Sequence, residues 1–250
     1  SLSDFDRKGV EPLDSLLSQI DQWKRVITPK VLTLFGGEPL LHPKLHNLID
    51  AIRDAWPTTR IRLITNGYLL KKHDPAKWFD YKPFEIQVSI HRSDHAHIIN
   101  KEIKRILDHK TDWRYKRVGD GKDHRDLIFY TDGFELWKSR FKDFVQPYQL
   151  EDGRLVPHNS NPADAHASCG SPDTPVLYKN KLYKCPPVAN ILDVQKDFVY
   201  DYQAVENEIG LEKFVNDIGK PESVCSMCPA NADNPINHFD KENVIVKHID

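Results

Sequence analysis

The sequence predicts an α/β protein, with parallel βαβ units followed by a small module built on four cysteines. Three observations carry this expectation. Short apolar strands alternate with helical stretches of ten or more residues through the first half of the chain, the pattern of parallel strands joined by right-handed crossovers. The strand Val31–Phe35 runs into Gly36-Gly37-Glu38-Pro39. All four cysteines, Cys169, Cys185, Cys225 and Cys228, lie in the last third of the 250 residues.

The elements follow in order. Leu13, Leu16, Leu17, Ile20, Trp23 and Ile27 recur at helical spacing, which predicts a helix over 11–27 closed by Pro29. After the glycine turn, Pro43 opens a second helix with Leu45, Leu48, Ile49 and Ile52 inward, and Pro57 closes it. Ile61–Thr65 reads as a strand stopped by Asn66-Gly67, Pro75–Phe79 as a short helix, and Phe84–Ile90 as a strand. A helix over 95–109 carries Ile98, Ile99, Ile103, Ile106 and Leu107, and further strands fall near 112–118 and 126–130. Asp132-Gly133 marks a turn. Trp137, Phe141 and Phe144 suggest an apolar helix face. Residues 146–165, rich in Asn, Asp, His and Pro, read as a linker or irregular arm between a unit at 1–145 and a module at 166–250. Val176–Tyr178 and Lys181–Tyr183 flank Lys179-Asn180 as a hairpin, and a helix is expected within 203–218.

Composition narrows the function classes. Lys and Arg total 35 against 37 Asp and Glu, so no net field favours general nucleic-acid binding or an anionic membrane. No apolar run approaches ~18 residues, the length of a membrane span, and the first residues lack a secretory pattern. A chain of this size needs no stapling, and a CxxC pair suits a reducing compartment, so a cytoplasmic location is expected. The chain opens on Ser1 rather than Met, which suggests a trimmed start.

Cys225 and Cys228 form the CxxC pair, whose turn brings both sulfurs to one side. Cys169 enters and Cys185 leaves the predicted hairpin. Together the four could hold a [4Fe–4S] cube or a tetrahedral zinc ion; from spacing alone, disulfides or free thiols stay open as well. Tyr178 and Tyr183 are expected either to cover this site or simply to pack the hairpin. In a parallel sheet, ligands gather at the C-terminal ends of the strands, which places Gly36–Pro39, Thr65–Gly67 and Ser89–His91 at one rim.

The stretch LFGGEPLLHPKLHNLIDAIRDAWPTTRIRLITNGYLL resembles the radical S-adenosylmethionine (SAM) superfamily. The tail, with Cys169, PVLYKNKLYKCPP and CSMCP, is similar to the single auxiliary-cluster "twitch" or reduced SPASM module of some members. The resemblance implies a partial (β/α) TIM-like barrel of about five or six parallel strands. It implies that Gly36, Gly37, Glu38 and Pro39 form the turn that receives the methionyl amino group, with Asn66 and Ser89 on the same cofactor rim. It further implies an auxiliary [4Fe–4S] cluster on Cys169, Cys185, Cys225 and Cys228, and substrates of peptide or carbohydrate type. In one respect the chain departs from the pattern: the superfamily's CxxxCxxC, which holds the catalytic cluster, does not occur in residues 1–250, and the first barrel strand is missing with it. Two readings stay open: a truncated radical SAM enzyme, or a non-catalytic cluster or zinc protein with a structural or docking role toward a protein or peptide partner. In either case SAM cleavage is not expected of these residues alone.

Elsewhere, His42 could face a ligand or pack beneath the glycine turn. His91, His95 and His97 are a weak metal pattern, and Arg114, Lys116 and Arg117 are expected to face solvent.

Overall fold

The computed structural model describes residues 9–90, 94–117, 125–140, 147–198 and 200–230. The chain divides into two compact units, one of residues 10–142 and the other of 143–250 with 1–9.

The first unit contains helices α1 (Leu13–Trp23), α2 (Leu45–Ala55), α3 (Pro75–Trp78) and α4 (Ala96–Leu107). Its strands are β1 (Val31–Leu34), β2 (Arg60–Thr65), β3 (Phe84–Ile90), β4 (Arg114–Arg117), β5 (Arg125–Thr131) and β6 (Phe134–Arg140). They form one sheet in the order β1-β2-β3-β6-β5-β4. The first four in that order pair parallel, while β5 pairs antiparallel with both β6 and β4. The expectation of five or six parallel strands is corrected to four that pair in parallel, because β5 is inserted antiparallel between β6 and β4. The reason is local: Asp132-Gly133, with Gly133 at φ +65°, folds β5 directly back onto β6, and a two-residue turn can only join antiparallel strands. The same hairpin corrects Trp137, which lies in β6 opposite Gln87 and Ile128 rather than on a helix. Phe141 and Phe144 fall outside the described residues.

The helices form where the apolar spacing placed them. Leu45, Leu48, Ile49 and Ile52 of α2 are buried, as are Ile99, Ile103 and Ile106 of α4. Helix α1 stops at Trp23, short of Ile27, with Ile20 and Trp23 buried. An aromatic run ties helices to sheet: Trp78 stacks on Phe84 at 5.8 Å, and Phe79 meets Phe134 at 4.6 Å. Strand register separates two faces. Ile61, Leu63, Phe84, Ile86, Val88, Phe134 and Leu136 are apolar and buried. The alternate positions are polar. Arg62 Nε donates to Glu85 Oε1 at 2.8 Å, Arg60 Nη1 to Glu135 Oε1 at 2.6 Å, and Trp137 Nε1 to Glu85. All four residues of β4 are exposed, which leaves Arg114, Lys116 and Arg117 facing solvent.

In the second unit, the stretch expected to be irregular is folded. Strands β7 (Gln149–Glu151) and β8 (Arg154–Val156) form a hairpin, followed by the short helix α5 (Pro162–Ala167). Asp152 and Gly153 supply consecutive positive φ values, 48° and 79°, as a tight hairpin turn needs. Strands β9 (Val176–Tyr178) and β10 (Lys181–Tyr183) pair as expected, with Lys179 and Asn180 at the turn. Helix α6 (Pro186–Val194) follows at once, and α7 (Leu211–Asp217) is shorter than the 203–218 window. Val205 instead bridges Leu182 through two backbone hydrogen bonds of 2.8 and 3.0 Å. Tyr148, Leu155, Val188, Ile191, Phe198, Val224 and Met227 form this unit's core, and Cys185 and Cys228 pack against it. Among the described residues, no helix is long and apolar enough to cross a membrane.

Candidate metal centre

The four cysteines converge. Cys169, Cys185, Cys225 and Cys228 line one cavity of about 380 Å³, counting its open mouth. All four are free thiols, so the disulfide alternative falls. Three segments bring them together. Helix α5 and its exit deliver Cys169, whose N–H donates to His166 O at 3.1 Å. Cys185 leaves β10 as the N-cap of α6, with Pro186 and Pro187 at the first helical positions, where proline is tolerated because the N–H would have no intrahelical partner. Cys225 and Cys228 sit in and just after a 3₁₀ turn, Ser223–Met227. His158 N and Ser160 N donate to Met227 O and Ser226 O, both at 3.1 Å, and so fasten the segment after β8 to that turn.

The rest of the wall includes Val188, Val224 and Met227, shared with the core, together with Ala165, His166 and Lys184. None of these was singled out in the sequence. Position carried the only available signals: Lys184 precedes Cys185, and His166 lies three residues before Cys169, one helical turn away. Neither Tyr178 nor Tyr183 is among the cavity's lining residues. Tyr178 donates to Asp193 and Tyr183 stacks on Tyr202 at 6.3 Å, so both pack the hairpin.

The electrostatics suit a metal-thiolate centre. Burial pushes the Cys185 thiol up to about 11 and the Cys228 thiol up to about 12, with the neighbouring thiols adding to both shifts. Both are neutral at pH 7 until something positive displaces their protons. Backbone N–H groups already point at sulfur: Ser171 N lies 3.4 Å from Cys169 Sγ, Glu222 N 3.5 Å from Cys225 Sγ, and Val188 N–H is directed at Cys185. Lys184, only 7% exposed, places a cation in the wall and is held by Lys220 O at 2.6 Å and Glu222 Oε1 at 2.8 Å. Donor type, burial and N–H···S contacts all fit an anionic metal-thiolate group.

The strand-end rim belongs to the first unit. Gly36 and Gly37 follow β1 on the surface, and a Cβ at either would meet nothing within 4 Å. Glu38 lies partly buried beside them. Its Oε1 accepts from Leu40 N at 3.0 Å and Thr65 Oγ1 at 2.8 Å, and its Oε2 from Asn66 N at 2.9 Å. The carboxylate therefore ties the end of β1 to the end of β2, and burial raises its pKa. A carboxylate has about four acceptor positions, so Oε2 retains capacity for one more donor. Pro39 opens a 3₁₀ turn, and Asn66 Oδ1 accepts from Tyr68 N at 3.1 Å. Ser89 is buried on the polar face of the sheet and accepts from Ser139 Oγ at 3.4 Å. An open glycine edge with a spare carboxylate acceptor fits an ammonium-bearing ligand.

The histidines have other employment. His42 Nδ1 accepts from Lys44 N at 3.1 Å, so its Nε2 carries the proton donated to Glu11 O at 3.1 Å. His95 contacts Tyr68 and His97 contacts Asp94 O, while His91 lies outside the described residues.

The first unit thus presents a mixed α/β sheet with a glycine-rich strand end, and the second a cavity lined by four thiols. Residues 3–118 match the model of the radical SAM superfamily. The chain is also similar to a GTP 3',8-cyclase of Staphylococcus carnosus, at 38% identity over 101 residues, which is 37% of this chain and 29% of that relative's length.

Proposed function

We propose that this chain is a radical-SAM-type iron–sulfur protein whose second unit holds one auxiliary [4Fe–4S] cluster on Cys169, Cys185, Cys225 and Cys228, in a module of twitch or reduced SPASM type. The single observation that carries the reading is the convergence of four free thiols, from segments far apart in sequence, on one partly buried cavity. When bound, the group would supply one-electron transfer at a potential set by its surroundings. A tetrahedral zinc ion on the same four thiolates is the alternative; among the described residues no three His, Cys, Asp or Glu side chains already stand around a single ion position.

The four parallel strands fit the matching part of a (β/α) barrel. At their ends, Gly36, Gly37, Glu38, Pro39, Asn66 and Ser89 form the rim proposed for SAM. Residues 1–250 contain no cysteines beyond these four. They therefore supply ligands for one cluster of this kind, and a cluster able to cleave SAM would need ligands from outside them. The cyclase's nucleotide substrate is not carried over, because the similarity spans under a third of that protein. A peptide or carbohydrate substrate rests on the module type alone. The thiol chemistry supports a cytoplasmic location.

Anaerobic purification tests the centre. About four irons and four sulfides per chain, with broad absorbance near ~400 nm, are expected of one cube. A colourless protein carrying one zinc overturns the cluster. Incubating the protein with SAM and dithionite then tests the rim: binding without release of 5'-deoxyadenosine is expected of residues 1–250.

A further inference from the structure

The cavity wall holds one polar atom that the four-thiol site does not use. His166 Nε2 is fully buried and has no hydrogen-bond partner among the described residues. It lines the same cavity as the four cysteines. Its position is fixed on several sides. Asn161 caps α5 by accepting from Ala163 N at 2.9 Å and Asp164 N at 3.3 Å. The His166 carbonyl accepts from Cys169 N at 3.1 Å. Ala165, next to it, is 2% exposed, and α5 packs against the 3₁₀ turn that bears Cys225. A buried imidazole nitrogen left unpaired is unfavourable, so it calls for a partner, and a group bound in the cavity it lines would supply one.

We propose that His166 is a positioning residue of the metal centre, its Nε2–H donating to a sulfur of the bound group. This rests on the cluster reading above. Four thiolates satisfy the four irons of a cube, which leaves the imidazole no iron to bind and makes its N–H the useful end. Hydrogen bonds to the sulfurs are among the factors that set a cluster's potential. His166 would thus raise the potential by stabilising the extra negative charge of the reduced state, alongside the N–H groups of Ser171, Val188 and Glu222.

The test uses the full chain, reconstituted anaerobically, with His166→Leu and His166→Gln beside it. Iron and sulfide content is measured first, then the midpoint potential at one fixed pH. Electron–nuclear double resonance of the reduced cluster follows, in H₂O and D₂O and with ¹⁵N-histidine. Three results are expected: His166→Leu keeps its iron, it favours the oxidised form about tenfold (~59 mV lower for a one-electron couple), and it loses an exchangeable-proton coupling that His166→Gln restores in part. Unchanged potential and couplings in His166→Leu overturn the proposal. So does a strong ¹⁵N coupling in the unsubstituted protein, or loss of one iron in both variants, because either makes His166 a ligand. If neither variant loads, the unsubstituted protein decides: an exchangeable proton coupled to histidine nitrogen supports the proposal, and its absence overturns it. An unsubstituted protein that binds no iron and sulfide sinks the underlying cluster reading instead, a separate outcome.

Discussion

Glu38 receives hydrogen bonds on both carboxylate oxygens, from Leu40 N and Thr65 Oγ1 on one and Asn66 N on the other. A glutamine there keeps one acceptor oxygen but turns its amide N–H toward the Asn66 N–H, leaving two donors face to face. Glu38→Gln is therefore expected to destabilise the first unit by about 1–3 kcal/mol, read by urea unfolding; an unchanged midpoint would remove Glu38 as the clasp between β1 and β2. The thiols of the second unit predict a pH dependence. For Cys185 and Cys228, burial raises the folded-state pKa from 9.0 to about 11 and about 12. A raised acid favours the fold while it is protonated. The stabilisation is thus fully present below pH 9 and lost as pH rises toward the folded values. Metal-free protein should hold a constant melting temperature between about pH 7.5 and 8.5 and lose stability above about 9, with a smaller loss in a Cys185→Ser/Cys228→Ser variant. Equal losses in both proteins would mean these thiols are not the groups responsible.

At the scale of elements, turns decide the architecture. Gly67 ends β2 at φ +86°, and a Cβ there would lie 2.9 Å from Val88 Cγ1 and 3.0 Å from Ile99 Cγ2. Both the backbone conformation and the contact with β3 and α4 thus require glycine. Gly67→Ala should cost about 1–3 kcal/mol, whereas Gly36→Ala, which meets open space, should leave stability nearly unchanged. Similar losses in the two variants would contradict this local account. The letters Asn66-Gly67 were readable as a strand stop because few residues other than glycine accept that geometry. Trp137 was misread for the opposite reason: its spacing to Phe141 and Phe144 matches a helix, but the turn at Asp132-Gly133 fixes β6 and aims Trp137 Nε1 at Glu85. Periodicity over three residues is weak against a hairpin turn four positions upstream.

For the molecule as a whole, each unit has its own core, so each should respond separately to metal. The sheet unit is built on buried residues such as Ile49, Ile61, Phe84 and Phe134, while the second unit's core packs directly against Cys185 and Cys228. Removing the bound group with an iron chelator under reducing conditions should lower the melting transition of the second unit and leave that of the sheet in place. Circular dichroism should report the surviving sheet and tyrosine fluorescence the loss around Tyr183, Tyr200 and Tyr202. A single transition that moves as one would show instead that the units melt together.

The chain's letters by themselves determined the alternation of strands and helices, the glycine edge at Gly36-Gly37 and the four sulfur donors. Those features depend on residue type and on neighbours a few positions away, where backbone sterics and side-chain chemistry act. Only the tertiary structure decided that Cys169, Cys185, Cys225 and Cys228 share a cavity, that Glu38 faces Thr65 and Asn66, and that Lys184 and the unpaired His166 nitrogen line the same wall. Those depend on packing between segments distant along the chain, and spacing in sequence carries no information about which side of a fold a distant segment returns to.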